Sequence, residues 1–354
     1  MGFFRSNKPR GLVGLDIGSS SVKAVELAKK GNGYELLSLG LDTLSQDTIV
    51  DGAIMDAPSV SSAIEKIFRE CKIENTRVAA AVSGHAVIVK RITVPAHSQE
   101  ELEQAIQQEA QRHIRFDLAD VNLTYYPLGD LGEGNAVEVL LLAVKREKME
   151  SHANVVALAN KTLMVLDIDA FALQNAFEVN YEPSADLAAA LLNIGASSMN
   201  INITRGGAPL FTRDVSVGGN QYTDILQKEL DLSFEDAEKL KMGEKVSTVK
   251  PGTEEAHLHS VSELLLLEVQ KTFDFFKQTN PNDHIGALYL SGGTAQVKGL
   301  VDLLKQDFNV PVEILNPFRK ISFSSSRFDP DFIAAIAPRM TVSVGLALRS
   351  FDEA

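Results

Sequence analysis

The sequence predicts a mixed α/β fold made of two duplicated halves, each opening with a β-hairpin. Three observations carry that prediction. First, LDIGSSSVKAVEL from Leu15 aligns without gaps on LNIGASSMNINIT from Leu192, so that Leu15, Ile17, Gly18, Ser20 and Ser21 meet Leu192, Ile194, Gly195, Ser197 and Ser198. Asp16 meets Asn193, and 193 − 16 = 177, half of the 354 residues. Second, both copies continue as strand, glycine turn and strand, through Gly31-Asn32-Gly33 in the first and Gly206-Gly207 in the second. Third, helices and a further apolar strand follow in each half, RVAAAVSG from Arg77 and ALYLSGG from Ala287.

The elements follow in order. SVSSAIEKIFREC spaces its apolar residues as a helix from Ser59 to Cys71. Between RVAAAVSG and LMVLDIDAFAL lies a small α/β unit of its own. It comprises strand His85 to Val94, a helix from Ser98, strands Asn122 to Pro127 and Ala136 to Lys145, and a helix from Lys148 to Lys161. Ser98 with Glu101 forms a capping box, and Leu102, Ile106, Ala110 and Ile114 give that helix one buried face. In the second half, helices span Asn220 to Leu230 and Phe234 to Met242. A further helix, Ser262 to Gln278, carries a leucine run and three phenylalanines, which predicts core between subdomains. Gly243 to His259 and Ser322 to Arg327 read as mobile loops.

Composition narrows the function. A 45% hydrophobic, 23% charged chain buries a real core. A formal charge of −13 and a pI near 5.1 argue against a nucleic-acid protein and against a bare anionic membrane. Cys71 is the single cysteine, so no internal disulfide forms, and it is expected to be buried and inert. Met1-Gly2 with Ser6 fits the start of an acylation site or an unstructured tail. No stretch approaches the ~18 apolar residues of a membrane helix, and the acidic C-terminus is no basic amphipathic anchor, so a cytoplasmic location is expected. The histidines, scattered at 85, 97, 113, 152 and 284 with His257 and His259 in a polar loop, show no metal-ligand spacing.

The chemistry lies in the repeated hairpins. An apolar strand ending in Asp-Ile-Gly and turning through serines presents N–H and hydroxyl donors at one point, as a polyphosphate cradle needs. Asp16 then faces the phosphates across a hard cation, Mg²⁺ held through its waters. One such turn alone is a weak motif; its second copy lets the two grip phosphates from opposite sides. LYLSGGTAQVKGLVDLL reads as strand, Ser-Gly-Gly bend and amphipathic helix. The bend either admits a nucleotide to the backbone at a helix N-terminus or is simply a tight β-to-α turn.

On these residues the chain resembles the actin-like ATPase superfamily, over nearly its whole length. The resemblance runs through the hairpins Leu12 to Leu27 and Leu191 to Gly219 and an adenosine motif from Leu288 to Leu303. Connecting helices follow VLDIDAFAL and lie in PRMTVSVGLALRS. It implies an actin-like ATPase fold of two ribonuclease-H-like domains with an inserted subdomain placed as in FtsA. The implied division is a first domain at 1–184 with the insertion at 79–164, a second domain at 185–339 with a helical subdomain at about 227–280, and a C-terminal helix at 340–354 returning to the first domain. The phrases GLDIGSSSVKAVEL, EAQRHIRF, LDIDAFAL and VSVGLALR resemble the PilM family of type IV pilus assembly, the machinery of twitching motility.

That resemblance implies an ATP-binding adaptor at the inner face of the inner membrane. It would receive the cytoplasmic N-terminal peptide of the membrane protein PilN beside the inserted subdomain, join other inner-membrane pilus components, and be open to self-association. By the same resemblance Asp16 lies near Mg²⁺ and the phosphates, with Gly18, Ser19, Ser20, Ser21 and Lys23 in the first phosphate turn. Gly195, Ala196, Ser197 and Ser198 form the second, and Gly292 and Gly293 flank the adenosine. AEKLK matches the element that reaches the ribose through Glu238 and Lys241, or is an exposed i, i+3 charge pair. Asp169 stands where the superfamily orients the attacking water, or caps the helix through Phe171 and Phe177. Asn193 replaces a superfamily aspartate, so ATP binding with slow or no hydrolysis is expected. Two alternatives remain: an FtsA-like division or filament-forming ATPase, and a metabolite kinase of the same superfamily. The chain's end at Phe351-Asp352-Glu353-Ala354, without a basic anchor, weighs against the first, and the surface-like insertion against the second.

Overall fold

Two sheets with one strand order organise the chain, in a computed structural model that describes residues 11–96, 98–128 and 136–351. The acylation reading at Met1, Gly2 and Ser6, His97, and the acidic end from Asp352 lie outside the described residues. The first half contains β1 (Val13–Ile17), β2 (Ser21–Lys30), β3 (Gly33–Thr43), the short pair β4 (Ile49–Val50) and β5 (Ala53–Ile54), α1 (Ala57–Glu70) and β6 (Arg77–Val82). The insertion follows as β7 (Val87–Val94), α2 (Gln99–His113), β8 (Val121–Pro127) and β9 (Val137–Lys145). Next come α3 (Arg146–Leu158), β10 (Thr162–Ile168) and α4 (Asp169–Asn180). The second half contains β11 (Ala188–Ile194), β12 (Met199–Arg205), β13 (Ala208–Val215), α5 (Gly219–Leu230), α6 (Phe234–Lys241), α7 (Glu255–Thr279), β14 (Ile285–Ser291), α8 (Leu300–Phe308) and β15 (Val312–Ile314). The chain ends through β16 (Ile321–Ser322), α9 (Pro330–Ile336) and α10 (Thr341–Leu348).

The first sheet has the order β10-β6-β1-β2-β3-β16 and the second β13-β12-β11-β14-β15. Read from the hairpin side, each half runs third, second, first, fourth, fifth strand, with β16 added to the first. The duplication therefore extends from the motif to the topology. Its register is also kept: Asp16 pairs with Lys23 across β1 and β2, and Asn193 with Asn200 across β11 and β12. The offset is 193 − 16 = 200 − 23 = 177.

Local chemistry sets the elements. The Asp56 side chain caps α1 by accepting from the Ser59 N–H at 3.1 Å, and Val60, Ala63, Ile64, Ile67 and Phe68 give it one buried face against β1 and β2. Ser98 caps α2 through the Glu101 N–H at 3.2 Å. The all-apolar run Ala188–Leu192 is buried on both faces of the second sheet, as a central strand demands. Its core includes Tyr222, Leu226, Phe273, Phe276 and Leu300.

The insertion is narrower than 79–164. β6 and β10 pair with each other and belong to the first sheet, and Val155 and Val156 of α3 pack in that domain's core. The separate unit is the sheet β7-β9-β8 with α2 on one face. The return to the first domain likewise begins before residue 340: β16 pairs with β3, and Ile333 and Ile336 of α9 share a cluster with Val25 and Leu36. α10 then lies against β1 and α4, and two glycines make the approach possible. A Cβ on Gly14 would stand 2.0 Å from the Ser343 carbonyl oxygen, and one on Gly345 1.7 Å from that of Ala172.

Three further expectations change. The run Pro330–Phe351 is long and apolar enough to cross a membrane by length and composition, but 72% of its 18-residue apolar window is buried inside the fold, as in a core helix. α7 begins at Glu255, so His257 and His259 are helical, and its apolar residues split between a core face and the exposed Leu264, Leu267 and Phe275. Cys71 is the C-cap of α1 and is half-buried; its Sγ donates to the Leu39 carbonyl at 3.3 Å, and burial raises its pKa.

Candidate phosphate-binding cleft

The two hairpin turns meet. Each is closed by the same backbone bond, Gly18 N–H to Ser21 O at 3.1 Å and Gly195 N–H to Ser198 O at 2.9 Å. Across the duplication axis Ser197 Oγ donates to Ser19 Oγ at 2.9 Å. The second turn is braced from behind: the Gly219 and Asn220 N–H groups at the start of α5 donate to the carbonyls of Gly195 and Ala196, and Thr294 Oγ1 also donates to Gly195 O. In a trans peptide the N–H points opposite to the C=O. Tying these carbonyls back therefore turns the Ala196 and Ser197 N–H groups away from the start of α5.

A cleft of about 660 Å³ opens at this meeting point. Every candidate residue lines it: Asp16, Gly18, Ser19, Ser20, Ser21 and Lys23 from the first hairpin, Gly195, Ala196, Ser197 and Ser198 from the second, Gly292 and Gly293, Glu238 and Lys241, and Asp169. Several expected roles are altered. The bend after β14 leads into a single 3-10 turn at Gly293–Gln296, and the α-helix begins only at Leu300, so no α-helix N-terminus faces the cleft there. Gly292, at φ 83°, lies so close to β11 that a Cβ would stand 2.3 Å from the Ile194 oxygen. Lys241 is only 7% exposed, which removes the reading of Glu238 and Lys241 as a solvent-exposed pair. Its Nζ donates to Thr223 Oγ1 at 2.9 Å and to Glu238. Asp169 is the first residue inside α4 and caps nothing; its carboxylate accepts from Ser83. Asp16 is ion-paired with Lys23 at 2.9 Å, so a cation approaching it competes with that ammonium.

Sequence reasoning missed Lys148, Asp214, Asn200, His152 and Arg339, which also line the cleft. The Asp16–Lys23 ion pair of the first hairpin becomes an amide pair in the second. Asn193 Nδ2 donates to Asn200 Oδ1 at 3.1 Å, and Asn200 Nδ2 to Asp214 Oδ1 at 2.7 Å. The acid absent at position 193 thus enters from β13, through the residue paired with Asn200. That register was the signal available in the sequence. Lys148 and Arg339 carry no local signal, because α3 and the approach to α10 reach the cleft only through the tertiary fold.

Electrostatics are unusual here. Burial, with the Asp16 and Asp214 carboxylates nearby, pushes the Asp169 pKa up to about 7 against the pull of Ser83 and Lys148. Burial lowers that of Lys148. Burial together with the Lys148 ammonium pushes His152 down to about 4, so its ring is neutral and Nδ1 lies 3.0 Å from the Lys148 carbonyl. The cleft holds six carboxylates (Asp16, Asp51, Asp169, Asp214, Glu238, Glu244) against four cations (Lys23, Lys148, Lys241, Arg339). That excess of carboxylates disfavours a bare polyanion there. Among the described residues no group of three or more carboxylate, histidine or cysteine side chains could cage a metal alone. Ser21 Oγ is buried with no hydrogen-bond partner among the described residues, an unmet donor in the first turn. At the rim, Phe234, Met242 and Phe332 are 40%, 40% and 52% exposed and present apolar surface to the cleft.

Two duplicated sheets of this order, joined by α4 and α10 around a cleft between hairpin turns, define an actin-like protein. Solved structures agree in fold: an ethanolamine utilization protein EutJ from Carboxydothermus hydrogenoformans has TM-score 0.59 at 18% identity, covering 96% of this chain and 90% of that one. MreB5 of Spiroplasma citri bound to ADP has TM-score 0.51 at 15% identity, with 95% of each chain covered. Cell division protein FtsA of Pseudomonas aeruginosa is 23% identical over 349 residues, 87% of this chain and 83% of that protein. FtsA of Helicobacter pylori strain J99 is 24% identical over 247 residues, a match to 63% of this chain and about half (49%) of that protein. A PilM-PilN type IV pilus biogenesis complex has TM-score 0.87 at 28% identity, covering 98% of this chain and 100% of that one. The family model for type IV pilus assembly protein PilM matches residues 14–351, and the chain belongs to that family.

Proposed function

We propose that this protein binds ATP with Mg²⁺ in the cleft and serves as a nucleotide-responsive adaptor of type IV pilus assembly. In this reading it is recruited to the inner face of the inner membrane by the N-terminal cytoplasmic peptide of PilN. The observation that carries the nucleotide half is the contact between the two turns, Ser197 to Ser19 at 2.9 Å. A phosphate inserted there replaces one hydroxyl–hydroxyl bond with donors from both hairpins. The β- and γ-phosphates lie between the turns, the ribose faces Glu238 and Lys241, and the base lies toward Gly292, Gly293 and the apolar rim. Mg²⁺ supplies charge neutralisation between Asp16 and the phosphates. The PilN half rests on family membership and on the PilM-PilN complex among the structural relatives.

Hydrolysis is slow in this reading. Asp169 is the group that can orient a water, but with a pKa of about 7 it is only partly ionised at neutral pH, and Asn193 adds no charge. Thermal unfolding with and without Mg-ATP tests the binding claim. Ligand at ~100 times its dissociation constant stabilises by about 2.7 kcal/mol. Asp16→Ala should remove most of the shift, and a wild-type protein whose melting ignores every nucleotide defeats the claim. For the adaptor half, a PilN N-terminal peptide should bind the full chain in solution; absence of binding with the nucleotide site intact defeats that half alone.

A further inference from the structure

Lys148, in the first turn of α3, is a half-buried cation on the cleft wall with no ion-pair partner among the described residues. We propose that it is the residue that separates a nucleoside triphosphate from a diphosphate: its ammonium leaves the Gly52 carbonyl and donates to the terminal phosphate. This deepens the nucleotide reading of the cleft and rests on it.

The four cleft cations are not equivalent. Lys23 is ion-paired with Asp16 at 2.9 Å, and Lys241 with Glu238. Arg339 lies along Gly293, where a Cβ would stand 3.8 Å from its side chain, and it is attracted by Glu238, which places it at the nucleoside end. Lys148 donates to one neutral acceptor, the carbonyl oxygen of Gly52. Asp169 and Asp214 attract it, one carboxylate from each half of the chain, but both are engaged elsewhere. Asp214 accepts from Asn200 Nδ2 at 2.7 Å and from the Gly84 N–H, and Asp169 accepts from Ser83. Lys148 therefore carries its charge into partial burial without a direct anionic contact. Burial lowers its pKa against the pull of the two carboxylates, as expected of an ammonium that has lost water and gained no anion in return.

The place suits a third phosphate. With the phosphates between the Ser19 and Ser197 turns and the ribose toward Glu238 and Lys241, the terminal phosphate points away from the ribose and toward Asp169. Asp169 and Lys148 feel each other's charge there. The turns serve diphosphate and triphosphate alike. The third phosphate adds negative charge that the six carboxylates repel, and the ammonium of Lys148 is the one cation at that end not already held by an acid. A charge-assisted N–H···O bond then replaces a bond to a neutral carbonyl, so the gain falls on the triphosphate alone. The exchange also releases Gly52. That residue closes the Asp51-Gly52 turn between β4 and β5, at φ 75°, where a Cβ would stand 3.0 Å from Lys148 Nζ. The ammonium thus holds the turn to the cleft wall until the terminal phosphate takes it.

Titration of the full chain with Mg-ATP and with Mg-ADP tests this. Wild type should bind ATP about tenfold or more tightly than ADP, the worth of one charge-assisted hydrogen bond. Lys148→Gln can still donate to Gly52 but carries no charge; its two affinities should come within about twofold of each other, with ADP binding unchanged. Lys148→Arg should keep a preference for ATP. Hydrogen exchange at 49–54 should be faster with ATP than with ADP in wild type, and equal in Lys148→Gln. The proposal is overturned if wild type binds both nucleotides equally, if its exchange at 49–54 is the same with both, or if Lys148→Gln keeps the wild-type preference. It is equally overturned if Lys148→Gln loses ATP and ADP to the same degree, which would make Lys148 a support of the fold. A wild-type chain that binds neither nucleotide defeats the underlying reading of the cleft, and this inference with it.

Discussion

Replacing Asp169 by Asn probes the cleft's electrostatics without changing its shape. In the folded protein the carboxyl is surrounded by burial, Asp16 and Asp214, which move its pKa from 3.8 to about 7. A rise of about 3 units corresponds to ~4 kcal/mol of differential stability at 1.36 kcal/mol per unit. The sign follows from proton binding. The folded state holds the proton more tightly than the unfolded chain, so the stabilisation is complete below about pH 3.8 and is lost as pH rises through about 7. Asn does not titrate. Urea unfolding of both proteins between about pH 5 and pH 8 should therefore show the variant gaining on the wild type by about 3 kcal/mol, most of it gained below pH 7. A difference constant to within about 0.5 kcal/mol over that range would mean that the carboxylate titrates normally, and the account of the cleft floor would fall. If hydrolysis is measurable, its rate should climb with pH through about 7, as Asp169 ionises.

Further outcomes follow from the same geometry. His152, neutral with a pKa near 4, adds stability that is present above about 6.5 and lost as pH falls toward 4, up to about 3 kcal/mol; His152→Gln should flatten that limb of the pH–stability curve. The Asp169 and His152 slopes oppose each other between pH 4 and 6.5, so the two variants must be measured separately. Gly345→Ala forces a methyl to within 1.7 Å of the Ala172 carbonyl oxygen and should destabilise the α4–α10 crossing by about 1–3 kcal/mol or more, read as a lower unfolding midpoint. Asp214→Asn removes one of the six cleft carboxylates and should raise ATP affinity in the absence of Mg²⁺ by roughly fivefold, about 1 kcal/mol, in direct titration.

Much of this was legible in the sequence because its signals are local. Ile17-Gly18-Ser19-Ser20-Ser21 and its copy at Ile194 encode a turn within a few residues, and turn chemistry does not depend on distant parts of the chain. The copy predicts a duplicated domain, and the two sheets share one strand order. Lys148 and Arg339 were not legible, because each reaches the cleft by a tertiary route, from α3 and the approach to α10, whereas Asp214 is signalled only through the register of the β12–β13 hairpin. α7 misled for a related reason. Its composition is apolar enough for core, but composition does not say which stripe is covered, and Leu264, Leu267 and Phe275 face outward. The insertion was placed too widely because strands such as RVAAAVSG look alike whether they begin a new unit or complete the sheet next to β1.

The central claim is that two duplicated turns hold a polyphosphate whose charge a cation must balance, since six carboxylates and four cations share the cleft. Calorimetric titration of the full chain with ATP, once with Mg²⁺ and once with a chelator, tests it most directly. One site per chain is expected, tight with Mg²⁺, at least about tenfold weaker without it, and lost in Ser19→Ala/Ser197→Asp, which places a carboxylate at the meeting point of the turns. Binding of equal strength in chelator, or undiminished binding to that double variant, would contradict it.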